Sequence, residues 1–229
     1  MKPASLTFLI LIFSISCSHH KEHHEHHSSH NDSNHANAHM HRMDFDELVK
    51  RFDSPERDAW QKPELVLSAM GNLKGKTVAE IGAGSGYFTF RLAEKSARVI
   101  AADVDDRFLK LIEEKKKSQP IFSKNIQTLK IPYDSPDLPA RQFDKVLIVD
   151  TYHHIENRVE YFQKLMKRMK PGTELYIVDF KKKTPVGPPD SMKLKAEEIQ
   201  SELSRAGYGN IQIDNNTLPH QYIIKAMIK

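Results

Sequence analysis

The sequence predicts an α/β fold: a seven-stranded, mostly parallel sheet between two layers of helices, with an antiparallel C-terminal strand. Three observations lead there. From about Lys76 onward, short apolar runs alternate with amphipathic stretches of helical length, the pattern of parallel strands joined by crossover helices. The last two apolar runs, "NIQID" and "QYIIKAMIK", close the chain as an antiparallel pair. The chain has 229 residues, enough for one domain with a real core plus a leader.

The elements follow in order. "DFDELVKRF" and "KPELVLSAM" read as two short helices, with Pro63 where a first helical turn tolerates proline. "KTVAEIG" is a strand and Tyr87 to Lys95 a helix. "ARVIAAD" is the next strand. Asp105 to Lys117 is a helix carrying Phe108, Leu109, Leu111 and Ile112 on one side. "NIQTLKI" is a strand with an irregular link after it, "FDKVLIVD" a strand, and Arg158 to Lys170 a helix. "TELYIVDF" is a strand, followed by a proline-rich loop and a helix from about Lys193 to Ala206. In sheets of this kind ligands sit at the carboxyl ends of the strands, near the topological switch point.

Ahead of this domain, assigned to residues 43–229, lie two different segments. Residues 1–17, "MKPASLTFLILIFSISC", have the parts of a bacterial export signal: Lys2, an apolar run from Leu6 to Ile15, and the small residues Ser14 and Ser16 before Cys17. The run is too short to span a membrane as a mature helix. Its end resembles a lipobox, although Ser14 stands where that motif usually carries Leu. The expectation is an exported lipoprotein held on the periplasmic side or the cell surface through a lipid on Cys17. Ordinary cleaved secretion is one alternative. A start at Met40 or Met43, which would give a cytoplasmic protein, is the other.

Residues 18–42 hold ten of the thirteen histidines, among them His19, His20, His23, His24, His26 and His27, in a background of Ser and Asn. Such a segment cannot build a core and reads as a disordered tether. Its imidazoles suit weak binding of zinc, copper or nickel, and a polar spacer is the plainer reading.

The formal net charge is +4, and the basic residues come in short runs such as Lys115 to Lys117 without interleaved aromatics. That pattern marks solvated faces, and no nucleic-acid partner is expected. The single cysteine, Cys17, excludes an internal disulfide and a cysteine-based zinc site.

The first strand runs into "VAEIGAGSG", with glycines at Gly82, Gly84 and Gly86 around Ala83. A dinucleotide fingerprint needs G-x-G-x-x-G, and its third position here is Tyr87. Glu80 stands just before the glycines, where a carboxylate would repel phosphate and suit an ammonium group. Asp103 ends the second strand, where an acid accepts hydrogen bonds from ribose hydroxyls. A ligand with a ribose, a cationic amine and no pyrophosphate fits all three features, and S-adenosyl-L-methionine is such a ligand.

On these residues the chain resembles a class I S-adenosylmethionine-dependent methyltransferase, over roughly residues 44–228. "VAEIGAGSGYFTFRLA" resembles the first motif of that family and "VIAADVDDRFLKLIEEK" its second strand and helix. "YDSPDLP", "FDKVLIVDTYHHI", "MKRMKPGTELYIVDF" and "AEEIQSELSRAGY" follow in the family's order. The resemblance implies a Rossmann-like three-layer α/β/α sandwich and S-adenosylmethionine as cofactor. It places Glu80 and Gly82 at the methionine portion, with Gly84 and Gly86 lining the loop. It puts Asp103 on the ribose, Val104 against the adenine, Asp134 near the adenine amino group and Asp150 near the methionine portion. Asp134 reads equally well as a turn former.

The same resemblance implies in-line methyl transfer but says little about the acceptor, which is expected to be a small molecule. A base is needed when the acceptor arrives protonated, and "DTYHHIEN" supplies Tyr152, His153 and His154 after the fourth strand. His153 is slightly preferred as base, Tyr152 could pack on an aromatic acceptor, and helix capping is the plainer role for the histidines. "SPERDAWQKP" falls where similar enzymes have a lid; Trp60 within it suits either that lid or an anchor for the N-terminal helices. Membrane contact is expected only through the anchor, and the domain is expected to act as a monomer or weak dimer. The competing reading is an exported, non-catalytic lipoprotein of this fold that binds a nucleoside-like ligand, or metal through its histidine tract.

Overall fold

A computed structural model describes residues 43–95 and 97–228. The export signal, the tether, Cys17 and the six histidines His19, His20, His23, His24, His26 and His27 lie outside the described residues.

The chain enters through three short helices, α1 (Phe45–Phe52), α2 (Glu56–Gln61) and α3 (Pro63–Ala69). Helix α1 starts at Asp44, whose carboxylate accepts hydrogen bonds from the N–H groups of Asp46 and Glu47 at 2.9 and 3.3 Å. Acids fill its first turn and Lys50 and Arg51 its last, as the helix dipole favours. The sequence reading places no element in "SPERDAWQKP"; the structure forms α2 there. Lys62, in the left-handed region, ends α2 and turns the chain into Pro63 at the start of α3.

The sheet contains β1 (Thr77–Ile81), β2 (Arg98–Asp103), β3 (Ile126–Lys130), β4 (Lys145–Val149), β5 (Glu174–Phe180), β6 (Tyr208–Asp214) and β7 (Gln221–Ile228). Their order is β3-β2-β1-β4-β5-β7-β6. The first five are parallel to one another, and β7 runs antiparallel to both β5 and β6. From β1 the chain winds outward to β3 and then returns to β4, which lies on the other side of β1. This is the switch point, and the carboxyl ends of β1 and β4 face it.

Helices α4 (Tyr87–Glu94), α5 (Asp106–Ser118), α6 (Pro120–Ser123), α7 (Arg158–Arg168) and α8 (Ala196–Ala206) complete the fold. Strand residues alternate between the two faces. Val78, Leu147 and Val178 pack with Val66 and Leu67 of α3, Phe88 and Leu92 of α4 and Ile112 of α5. Ala79, Val146 and Ile177 pack on the opposite face with Tyr161, Phe162 and Leu165 of α7 and Ile199 and Leu203 of α8. All five residues of β1 are buried, which is why this strand reads as a continuous apolar run interrupted only by Glu80. Helix α8 begins at Ala196, three residues later than expected. Lys193 is buried instead, and its ammonium donates to the Thr184 carbonyl at 2.9 Å, tying down the proline-rich loop. Among the described residues no helix is long and apolar enough to cross a membrane.

One polar cluster pins the α7–α8 face. Arg158 Nε and Nη2 donate to the two oxygens of Glu202 at 2.7 and 2.9 Å, and the Tyr152 hydroxyl donates to Glu202 Oε2 at 2.7 Å. Removing one partner of such a pair leaves a charge stranded among apolar atoms. Glu202→Ala is therefore expected to lower stability by about 3–5 kcal/mol, with Glu202→Gln losing less because it still accepts from Tyr152. Urea denaturation of the two variants checks this.

Candidate functional site

The carboxyl ends of β2, β1, β4 and β5 open into one cavity of about 410 Å³. The sheet supplies an acid within one residue of each of these four ends: Asp103, Glu80, Asp150 and Asp179. Gly82 makes the turn out of β1 at φ +78°. Its N–H donates to the Ala102 carbonyl at 2.9 Å, and a Cβ here would run into the Thr151 side chain. Only glycine lets the β1 turn and the loop after β4 come this close.

Asp103 is buried, and its carboxylate accepts from the backbone N–H groups of Gly84 at 2.8 Å and Asp105 at 2.9 Å. Burial pushes its carboxyl up, and these two N–H groups oppose the shift. Each oxygen keeps a second lone pair for a hydroxyl donor. Glu80 is buried too, and accepts from the Thr89 hydroxyl at 2.5 Å. Burial pushes its carboxyl up to about 8, against the Thr89 hydrogen bond and with help from the Asp103 charge.

Asp150 takes a left-handed conformation at φ +53°. Its Oδ2 accepts from Arg57 Nη2 at 3.2 Å and its Oδ1 from Gln221 Nε2. Burial raises it to about 7, opposed by the Arg57 guanidinium and reinforced by Asp179. Arg57 also donates to the Phe52 carbonyl at 3.1 Å, and its guanidinium lies 4.0 Å from the Tyr87 ring centroid. Gln61 Nε2 donates to Gln221 Oε1 at 2.5 Å. Helix α2 is thus fastened across the cavity to β7 and to the end of β4.

Tyr152–His154 form a single 3₁₀ turn after β4. His153 is buried, with Nδ1 3.0 and 3.1 Å from the two oxygens of Asp179. Its backbone N–H donates to Asp179 Oδ2 at 3.2 Å. Burial disfavours the imidazolium, but the charge and hydrogen bond of Asp179 outweigh it and lift His153 above the ordinary histidine value. His154 also lines the cavity, its ring centroid 4.3 Å from that of His153.

Glu80, Gly82, Ala83, Gly84, Asp103, Val104, Asp150, His153 and His154 therefore share one cavity. Three expected residues lie elsewhere. Gly86 caps α4 behind the glycine turn and is absent from the cavity wall. Asp134 is exposed, and its carbonyl accepts from Lys164 at 3.1 Å; the neighbouring Tyr133 lines the cavity instead. Tyr152 points to the opposite face of the sheet, fully buried against Phe162 and bonded to Glu202. The 3₁₀ turn sends consecutive side chains in different directions, so its two neighbours face the cavity while it does not.

Asp179, Thr89 and Gln221 belong to the site without having been singled out in the sequence. Asp179 carried a signal: like Asp103 and Asp150, it is an acid at the carboxyl end of an apolar strand. Among the described residues no group of three or more His, Cys, Asp or Glu side chains is placed to hold a metal ion.

The residues present fit S-adenosylmethionine. Glu80 is a buried carboxyl whose ionised form calls for a cation, Asp103 keeps acceptor capacity, and Val104, Phe108 and Tyr133 give the adjoining wall an apolar character. Three carboxyl groups along this stretch disfavour a pyrophosphate. Residues 79–177 match the family described as "Methyltransferase domain", and the fold and the site suit S-adenosylmethionine.

The chain is similar to a SAM dependent methyltransferase from Aquifex aeolicus, whose crystal structure superposes with a TM-score of 0.74 at 25% identity, covering 82% of this chain and 100% of that one. It is 27% identical to a tRNA U34 carboxymethyltransferase of Pseudoalteromonas translucida, over 70% of this chain and 53% of that protein. It is 32% identical to phosphoethanolamine N-methyltransferase 1 of Triticum aestivum, over 59% of this chain and 26% of that protein. The aligned stretch spans about half or less of these two curated relatives.

Asp103→Ala is expected to weaken S-adenosylhomocysteine binding at least tenfold, about 1.4 kcal/mol. Asp134→Asn should stay within twofold, and calorimetry on the folded variants separates the two. Glu80 makes a pH prediction. Its folded value near 8 lies above the ordinary 4.5, so between these pH values the folded chain holds a proton that the unfolded chain releases. Its contribution to stability is full below about pH 4.5 and falls as pH rises towards 8. Glu80→Gln should remove this loss and raise the melting temperature at pH 8 by about 2–4 °C or more. It should also abolish the rise in S-adenosylhomocysteine affinity expected from pH 6 to 8 as Glu80 ionises against the ligand's ammonium.

Proposed function

We propose that this protein is an S-adenosylmethionine-dependent methyltransferase acting on a small-molecule acceptor held beside His153. One observation carries the reading: His153, held from behind by Asp179, lines the same cavity as the acids that suit the cofactor. When bound, S-adenosylmethionine supplies a methyl group already activated on a sulfonium.

The chain's own residues then have separable tasks. Glu80 and Asp150 hold the amino-acid portion, Asp103 accepts from the ribose hydroxyls, and Val104 and Tyr133 flank the base. Arg57 keeps α2 across the opening and limits the access of water. Asp179 fixes the His153 tautomer with the proton on Nδ1, which leaves the Nε2 lone pair as a base for the acceptor. Much of the remaining rate enhancement comes from holding the acceptor in line.

His153→Gln is expected to lower kcat by ~10²–10⁴, with S-adenosylhomocysteine affinity retained. Activity should rise with pH as His153 loses its proton. Because Asp179 lifts that titration, Asp179→Asn should move the rising limb to lower pH while lowering kcat. Tyr152→Phe should leave kcat within twofold. A pH–rate profile of the three variants tests the assignment, and an unshifted limb in Asp179→Asn would overturn it.

The proposal extends to location. The export-like segment ending at Cys17 supports a lipid-anchored protein outside the cytoplasm, with residues 18–42 as a tether able to bind metal through its histidines, and with a monomer or weak dimer acting on small molecules. A single acyl chain anchors only marginally, so more than one is expected. Full-length protein should fractionate with membranes and Cys17→Ser should not. A native N-terminus at Met40 or Met43 by mass spectrometry would refute the anchor.

A further inference from the structure

The relatives' names span tRNA U34, phosphoethanolamine and quinone biosynthesis, so the acceptor has to be read from this chain's own cavity. Beyond the residues assigned to the cofactor, the wall is built from Trp60, Phe180, Pro188, Pro189 and Met192, with His153 beside them. These groups are contiguous. The Trp60 and Phe180 ring centroids lie 5.7 Å apart at a tilt of 38°, and the His153 ring meets Phe180 edge-on at 6.4 Å. Gly187 crosses the Phe180 ring so closely that a Cβ would sit 2.6 Å from it, and the prolines that follow stiffen this wall.

The charges at this end are already matched. Asp179 is paired with His153 and Asp150 with Arg57. Lys193, next to Met192, is paired with Asp190 at 3.1 Å. Among these described pairs, an ammonium would find aromatic faces but no unspent carboxylate, and a phosphate or carboxylate no unspent cation. The surface favours an uncharged, flat, apolar molecule. One polar demand remains. With Nδ1 held by Asp179, the Nε2 atom of His153 accepts a hydrogen bond, and the molecule should carry an O–H to donate it. A phenolic hydroxyl suits best, because its pKa of about 10 is within reach of an imidazole base whereas an alkyl alcohol's is not.

We infer that this end of the cavity is an acceptor subsite for a neutral aromatic ring bearing a hydroxyl group, with the ring against Trp60 and Phe180 and the hydroxyl on His153. The inference rests on the methyltransferase reading above.

Trp60 is the chain's only tryptophan, so its emission reports on this subsite directly. Full-length protein is first tested for S-adenosylhomocysteine binding by calorimetry, then saturated with it and titrated with p-cresol. A saturable change in Trp60 emission is expected. The change should need at least fivefold more 4-methylanisole, which has the same ring without the O–H. His153→Gln should weaken p-cresol at least fivefold, and so should Phe180→Leu, with S-adenosylhomocysteine affinity retained in both.

If S-adenosylhomocysteine binds but 4-methylanisole matches p-cresol, the phenol assignment is overturned. It is equally overturned if benzylammonium or phosphoethanolamine acts at lower concentration than p-cresol. If S-adenosylhomocysteine itself does not bind, the methyltransferase reading falls, and the acceptor assignment falls with it.

Discussion

Acids withdrawn from bulk water at the ends of four adjacent strands set the terms for everything around them. A carboxylate in such a place is costly unless it is paired, hydrogen-bonded or protonated, and this domain uses all three remedies. Asp103 is met by two backbone N–H groups, so the glycine turn and the start of α5 are held by it. Glu80 keeps its proton near neutral pH, with a value of about 8. Asp150 is met by Arg57 and Gln221, and Asp179 by His153. The loops of the site occupy their positions because these are where the compensating groups are needed.

The Arg57–Asp150 pair carries this logic furthest from the sheet. Arg57 sits on a six-residue helix with no side-chain cap, too short to be stable alone. What holds that helix is its contacts: the guanidinium on Asp150 and over Tyr87, Gln61 on Gln221, and Trp60 against Phe180. The wall of the cavity is thereby coupled to the charge state inside it.

The alternation of strands and helices and the antiparallel closing pair were legible because apolar runs and amphipathic helices have different periods. The acids Glu80, Asp103 and Asp150 were legible because they interrupt or end those runs. Helix α2 was not, since a short stretch of mostly polar residues between Pro55 and Pro63 carries no periodicity and owes its helical form to tertiary contacts. Gln221 was hidden for a similar reason: a polar residue at a strand start gives no sign of a partner far away in the chain. Asp134 was drawn in by its place in the order of motifs, but its side chain is exposed, and the adjacent, half-exposed Tyr133 lines the cavity mouth instead.

The "TYHHI" stretch shows how a position outside the cavity can still govern it. Tyr152 is the residue of the turn that faces away, stacked on Phe162 at 5.1 Å and bonded to Glu202, which in turn holds Arg158. That side of the turn is fixed by core packing and by a carboxylate with three donors. His153, on the other side, is fixed by both oxygens of Asp179. A loop clamped from both faces of the sheet has little freedom to swing, and an imidazole must be held within a fraction of an ångström to serve as a base. The large aromatic that reads as a candidate for contacting the acceptor therefore does its work from the opposite face, by denying the histidine beside it any other place to be.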